Sequence, residues 1–300
     1  MIPQLAASGA TAFRVNASHL DLAGLSRALA RIREACPDAP IVVDLQGAKM
    51  RVGLCEPRDV TREQILRFST SADGDVQVPH AELFRQATVG DTVSVNDGRL
   101  RFEVVRRTTD HLEGRALNSG RLLPRTGVNV EQHPVRLQGL TARDAEMCHV
   151  ATRHRASALA FSFMTDGDEA AWLRAASPGC RVIGKVERSE ATTHLDQIAA
   201  RVDGIWICRG DLGVQLGFRA LARFVGALEP ARYPVPVLMA GQVLEHITSH
   251  PDATRSEVCH LFDLVERGFA GIVLSDETAI GRDPVHAVST AAGLLTSFRS

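Results

Sequence analysis

The stretch Arg181–Asp211, RVIGKVERSEATTHLDQIAARVDGIWICRGD, decides how the chain folds. It opens on an apolar run, Arg181 to Glu187, and closes on a second, Ile205 to Arg209, with a helical pattern between them. Strands that are apolar almost continuously, rather than at alternate positions, are buried on both faces, as in a parallel sheet covered by helices. The same unit recurs in both directions. Ala10 to Asn16 reads as a strand followed by a helix around Leu22 to Ala35, and Ile41 to Asp44 as the next strand. Leu159 to Phe163 precedes a helix near Asp168 to Ala176. Val235 to Ala240 and Ile272 to Ser275 follow, the latter leading into a helix through Pro284 to Ser297. Polar residues collect just past these strands: Asn16, Ser18, Asp44, Ser162, Lys185, Glu187, Asp211, Gln242 and Glu277. A β/α barrel carries its chemistry at this end of its strands.

Between the second and third strands the period changes. Thr92–Val95 and Leu100–Val105 flank Asn96-Asp97-Gly98, and Asp-Gly between short strands signals a hairpin. A second hairpin is expected at Asn118-Ser119-Gly120. The expected organisation is therefore a barrel over 1–53 and 127–300, with a small all-β domain inserted at 54–126. Without the insert about 227 residues remain, against roughly 250 for a complete eight-fold barrel, and only seven strands can be counted.

Composition narrows the function. The 300 residues carry 34 basic and 35 acidic side chains, and 45% are hydrophobic, as in ordinary globular proteins. No basic block favours nucleic acid, no apolar run is long enough to span a membrane, and no secretory signal opens the chain. The six cysteines form no C-x-x-C pair, which suits buried thiols in a reducing cytoplasm. Only two basic residues are lysines, Lys49 and Lys185; the other 32 are arginines. A lysine kept in such a background marks a place for a compact ammonium rather than a planar fork.

Lys185 and Glu187 share one face of their strand, because alternate strand residues point the same way. Asp211 follows the next strand. Two carboxylates from adjacent strand ends can hold Mg²⁺ and leave positions for substrate oxygens, and an ammonium beside them suits a developing enolate or a moving phosphoryl group. A plain strand-end salt bridge has the same spacing. Gly210 and Gly213 allow backbone N–H groups near an anion. Walker A and G-x-G-x-x-G motifs are absent.

Taken in order, the segments resemble the pyruvate kinase family. Arg14–His19 (RVNASH) is similar to its R-x-N-F-S-H, and Asp44–Gly53 (DLQGAKMRVG) to its D-T-K-G-P-E-I-R-T-G. Val95–Gly98 (VNDG) resembles the lid hairpin, and Thr126–Asn129 (TGVN) the return to the barrel. Phe161–Phe163, Ile183–Glu187, Asp203–Gly213, Ala240–Glu245, Thr254–Glu257 and Leu274–Ala279 complete the series, from about residue 9 to residue 295. The resemblance implies a TIM-type (β/α) barrel of the phosphoenolpyruvate/pyruvate superfamily with an inserted β-rich lid. It also implies the glycolytic transfer of a phosphoryl group between phosphoenolpyruvate and ADP, giving pyruvate and ATP. Glu187 and Asp211 would bind Mg²⁺ or Mn²⁺, and Lys185, Arg14 and Arg51 would serve catalysis. Asn16, Ser18, His19, Asp44, Lys49, Arg125, Gly210 and Gly241 would line the substrate and nucleotide sites, and Asp97 would belong to the lid. A cytoplasmic homo-oligomer acting on a small molecule, with no nucleic-acid or membrane partner, is expected.

The departures carry information too. Lys49 stands where potassium-dependent members have Glu, so its ammonium can replace a monovalent cation and K⁺ is not expected to be required. Gly241 replaces the family Thr of A-T-Q, and Asp276 the Gly of S-G-E-T. The family's first barrel strand and C-terminal regulatory domain have no counterpart in the chain, and the gap is expected to be filled by the N-terminal segment, a lid segment or another subunit. The alternative reading is an Mg²⁺-enolate enzyme of another kind, a lyase, decarboxylase or specialised-pathway transferase on a pyruvate-like substrate. A non-enzymatic binding module is the third.

Overall fold

The computed structural model describes residues 1–71, 73–96 and 98–299; Asp97 lies outside them. All seven expected core strands form. They are β1 (Phe13–Asn16), β2 (Ile41–Leu45), β3 (Ala158–Phe161), β4 (Arg181–Val186), β5 (Gly204–Cys208), β6 (Val237–Ala240) and β7 (Gly271–Val273). They make one parallel sheet in sequence order. Every residue of β2, β3 and β5 is buried, which is why these strands, apart from Asp44 in β2, read as apolar runs.

Helices alternate with the strands. α1 (Ile2–Ala7), α2 (Leu22–Ala35), α3 (Ala142–Arg153), α4 (Glu169–Ala176) and α5 (Leu195–Arg201) cover the first half. α6 (Arg209–Leu216), α7 (Phe218–Ala227), α8 (Arg255–Glu266), the short α9 (Asp276–Ala279) and α10 (Pro284–Arg299) follow. α2 shows the local logic. Asp21 caps it by accepting from the Gly24 N–H at 2.6 Å, and Leu25, Leu29 and Ile32, spaced one turn apart, form its buried face. In α8, Thr254 and Glu257 close a capping box.

Among the described residues β1 and β7 do not pair, so the sheet keeps two edges. The N-terminal segment fills the gap only in the helical layer. α1 packs against α10 and α2, so closely that a side chain at Gly9 would meet Ala292 at 2.5 Å. Beneath it, a cavity of about 620 Å³ runs beside β1, lined by Met1, Ile2, Phe13, Arg14 and Arg31 among others.

The chain divides into two compact units, Met1–Gly47 with Gly139–Ser300, and Ala48–Gln138. The inserted unit is thus longer at both ends than the expected 54–126. The reason is apolar: Met50, Val52, Val128, Val130 and Val135 are buried in its core rather than in the barrel's. Its six-stranded sheet orders Val128–Val130, Thr92–Val95, Leu100–Arg107, His111–Ala116, Ile65–Ser69 and Val76–Gln77, and Arg58–Val60 pairs with Gly120–Leu122. The unit is not all-β, because Ala81–Gln86 is helical and buries Leu83 and Phe84. Phe68 and Phe102 meet edge to face at 5.0 Å in its core.

The first expected hairpin forms, with Val95 opposite Leu100. The second does not turn at Asn118–Gly120. Leu100–Arg107 and His111–Ala116 pair across Thr108–Asp110, where the Thr108 hydroxyl bonds Asp110 Oδ1 and lies 2.7 Å from His111 Nδ1. Asn118 instead bridges back, accepting from Arg101 N and donating to the Arg99 carbonyl. Among the described residues no helix is long and apolar enough to cross a membrane. Of the six free cysteines Cys148 and Cys208 are buried while Cys259 is exposed, so the expectation of buried thiols holds only for some.

Gly47 lies just past β2, at φ +58°, where an added Cβ would sit 2.2 Å from the Ser162 carbonyl oxygen. Gly47→Ala is therefore expected to lower stability by about 2 kcal/mol or more, through backbone strain and the clash together; the denaturant midpoint measures it. The Gly47 N–H donates at 3.0 Å to Asp144, a carboxyl that burial pushes up to about 6, against this hydrogen bond. Because its pKa is raised in the folded state, the native protein binds more protons, and its contribution to stability falls as pH rises from the unfolded value through 6. Asp144→Asn is expected to remove that downward slope between pH about 4 and about 6, measured by denaturant titration across the range.

Candidate active site

The carboxyl ends of β1 to β5 bring one charged cluster together. β1 delivers Arg14 and β2 Asp44, both within paired stretches, since Arg14 lies opposite Val42 and Asn16 opposite Asp44. Arg14 grips Asp44 through Nε and Nη2, each 2.7 Å from Oδ2. The other Asp44 oxygen is 3.1 Å from the Lys185 ammonium, which also lies 3.0 Å from Glu187 and donates to the Ser162 hydroxyl at 3.0 Å. The Ser162 hydroxyl in turn donates to the Leu45 carbonyl at 2.7 Å.

These groups are deeply placed. Asp44 is 1% exposed, Glu187 4% and Lys185 7%. Burial alone would lower the pKa of Lys185, but the Asp44 and Glu187 carboxylates outweigh it and hold the ammonium above its ordinary value. Arg14 shows the same balance, with burial overcome by Asp44. Lys185 is therefore a fixed cation whose neighbours leave it charged.

Glu187 is oriented by backbone. Its second oxygen accepts from the Phe163 N–H at 2.9 Å, and Phe163 holds the left-handed region at φ +58°. A bulky residue in that region is strained and persists because its surroundings fix it. Asp211 falls in the first turn of α6, directly after β5. β4 and β5 are neighbours, with Lys185 opposite Trp206, so Glu187 and Asp211 come from adjacent strand ends as the spacing predicted. Two hard carboxylates are the donor type suited to a divalent ion that takes most of its ligands from substrate and water; here the two Glu187 oxygens rest on Lys185 at 3.0 Å and on the Phe163 N–H at 2.9 Å. Among the described residues no group of three or more His, Cys, Asp or Glu side chains could hold a metal ion.

The other expected residues take separate places. Asn16 caps the turn that carries Ser18 and His19 by accepting from Ser18 N at 3.1 Å, and His19 is exposed. Gly210 is the second residue of α6, and Gly241 follows β6 at φ +84°. Lys49, Arg51 and Arg125 belong to the inserted unit. There Arg51 donates to the Arg125 carbonyl at 2.8 Å, Arg125 sits at φ +60°, and the Lys49 side chain passes Gly127.

Two residues of the cluster escaped the sequence. Ser162 appeared only as one polar residue among several, although it bonds Lys185 directly. Cys208 closes β5 at the same place; burial, then the Glu187 charge, pushes its thiol well above the usual range, with Lys185 opposing. A cysteine inside an apolar strand gives no sequence signal of that position.

Comparison with known proteins gives the family. The family model described as pyruvate kinase, barrel domain, matches residues 1–288. The chain is 32% identical to the pyruvate kinase of Methylorubrum extorquens over 97% of its own length and 63% of that protein's. It is 28% identical to the pyruvate kinases of Thermotoga maritima, over 96% of this chain and 65% of that one, and of Thermococcus litoralis, over 97% and 65%. It thus spans less than two thirds of the length of these relatives. A parallel β/α sheet with charged residues at its carboxyl end, and a family match over nearly the whole chain, show that the protein belongs to the pyruvate kinase family.

Proposed function

We propose that the protein transfers a phosphoryl group between phosphoenolpyruvate and ADP, giving pyruvate and ATP, with a divalent metal ion. The observation that carries this reading is the buried Lys185 ammonium, held 3.1 Å from Asp44 and 3.0 Å from Glu187 with Arg14 on the far side of Asp44. In the transfer, a β-phosphate oxygen of ADP attacks phosphorus. The bond from phosphorus to the C2 oxygen breaks and leaves the enolate of pyruvate, and C3 takes up a proton. Negative charge moves onto the enolate oxygen, and a preorganised cation is worth most where charge develops. Lys185 supplies that cation, and Arg14 adds a second positive charge toward phosphate. Glu187 and Asp211 would hold Mg²⁺, whose chemistry is to offset phosphate charge. Asn16, Ser18, His19 and Asp44 take the nucleotide side. Arg51, Arg125 and Lys49 come to this reading through their motif positions, as does the lid role of the inserted unit. A cytoplasmic homo-oligomer belongs to the same reading, and the exposed Phe218 and Val214 favour a covered face there.

A second reading keeps the enolate chemistry on another pyruvate-like substrate. Gly241 favours it, because it presents no side chain where the family has Thr, and the nearest atoms to an added Cβ are the Gly210 and Arg209 amide nitrogens, at 3.3 and 3.6 Å. Asp276, exposed at the start of α9, adds a carboxylate after the neighbouring strand.

A coupled assay for pyruvate separates the two. In Mg²⁺ buffer free of K⁺, pyruvate is expected from phosphoenolpyruvate only when ADP is present. Lys185→Met should lower kcat by about a thousandfold, the usual scale for removing a charge-stabilising group. Pyruvate release without ADP, or none at all beside Mg²⁺-dependent binding of oxalate as an enolate mimic, would move the assignment to the second reading.

Lys49 gives an independent expectation. Activity should change less than about twofold on adding K⁺, whereas Lys49→Glu, which removes the resident cation, should make the enzyme K⁺-dependent. Turnover by the natural sequence only after K⁺ is added would overturn this.

A further inference from the structure

The turn after β6 rests on two consecutive left-handed residues, Gly241 at φ +84° and Gln242 at φ +53°. Gln242 has no glycine freedom, so its conformation needs outside support. Arg209 supplies it. Its Nε and Nη2 donate to the Gly241 carbonyl at 3.0 and 2.7 Å, and Nη2 also donates to the Gln242 carbonyl at 2.7 Å. The remaining amino group, Nη1, lies 2.8 Å from Nε2 of His260 on α8. Arginine has donors only. His260 Nε2 must therefore carry a lone pair, and the ring is neutral with its proton on Nδ1.

Further along, the same turn is held by Glu277, a carboxylate 1% exposed that accepts from Leu244 N at 3.1 Å and Ser275 N at 2.7 Å. The turn also lies against the start of α6, as the 3.3 Å from an added Gly241 Cβ to Gly210 N shows. That helix turn carries Asp211.

We propose that Arg209, backed by neutral His260, is a positioning residue that locks the Gly241–Gln242 turn against the first turn of α6. The catalytic meaning of the lock rests on the phosphotransfer reading; the lock itself does not. A protonated imidazole has N–H at both nitrogens and would set a donor against a donor. The lock therefore holds at neutral pH and loosens as acid charges His260. The charged groups acting on His260 are Arg209 from α6, Asp263 from its own helix and Arg267 just past that helix's end; burial first, then Arg209, keep the imidazole below its usual range. Glu277 on α9 acts on Arg209 from the other side.

Hydrogen–deuterium exchange over residues 239–248, corrected for intrinsic rates, tests this at about pH 7.5 and about pH 5.5. In the natural sequence protection of the turn should fall about fivefold or more on acidification while the rest of the barrel keeps its protection. His260→Gln, whose side-chain oxygen accepts from Arg209 at both pH values, should abolish that fall. Arg209→Lys, which keeps the charge and loses the fork, should lower protection at both and reduce kcat, with KM for phosphoenolpyruvate within about twofold. Equal acid sensitivity in the natural protein and His260→Gln, or unchanged exchange in Arg209→Lys, would overturn the proposal. If Arg209→Lys does not fold, the His260→Gln comparison decides alone. If the natural protein shows no ADP-dependent pyruvate, the phosphotransfer reading fails while exchange still decides the lock.

Discussion

The Lys185 ammonium, buried between two carboxylates, is the constraint around which the strand ends are arranged. A single charge at 7% exposure would be strongly disfavoured. Paired at 3.1 and 3.0 Å it is not. At an effective dielectric of about 20, each attraction at that distance is on the order of 5 kcal/mol, comparable with the several kcal/mol needed to strip an ion of water. Arg14 brings the cluster to two cations and two anions, Arg14 and Lys185 against Asp44 and Glu187. This near-balance explains how a barrel can keep four charged groups at its strand ends without a stability motive for any of them. Replacing such a set with apolar side chains is often neutral or stabilising, so its retention points to chemistry.

Much of the sheet could be read directly from residues because burial on both faces forces continuous apolar runs. β2, β3 and β5 are buried at every position, and apart from Asp44 in β2 each appears in the sequence as an apolar run. The insert was harder for a physical reason. A hydrophobic alternation such as that of Leu100–Arg107 shows which face is inward but not which strand lies opposite. Asn118-Ser119-Gly120 has turn chemistry, yet Asn118 uses its amide to tie two loops, and the real reversal lies at Thr108–Asp110. The domain boundary moved for a related reason: Met50 and Val135 look alike in either core, and only packing assigns them.

The site was legible to the extent that its chemistry is unusual in composition. Two lysines among 34 basic residues made Lys185 conspicuous, and the two-residue spacing placed Glu187 on the same face. Asp44 was visible as a polar residue closing an apolar strand and Arg14 only through its motif, but their mutual grip was not, since 30 residues separate them. Ser162 and Cys208 gave no signal beyond their place at a strand end. Arg209 was hidden more completely. Its targets are backbone carbonyls, which every residue has, so no pattern of side chains announces the contact.

That last contrast bears on how the site can change. The cluster at the ends of β1 to β5 is held by charge pairs, where removing one partner strands the other. The rim after β6 and β7 is held by backbone hydrogen bonds from Arg209 and Glu277, which are indifferent to the side chains of the turn they hold. Gly241 can therefore stand on this rim without disturbing the pairs around Lys185. Charge pairs and rim shape rest on different contacts, and the two meet where Arg209 ties the turn to the first turn of α6.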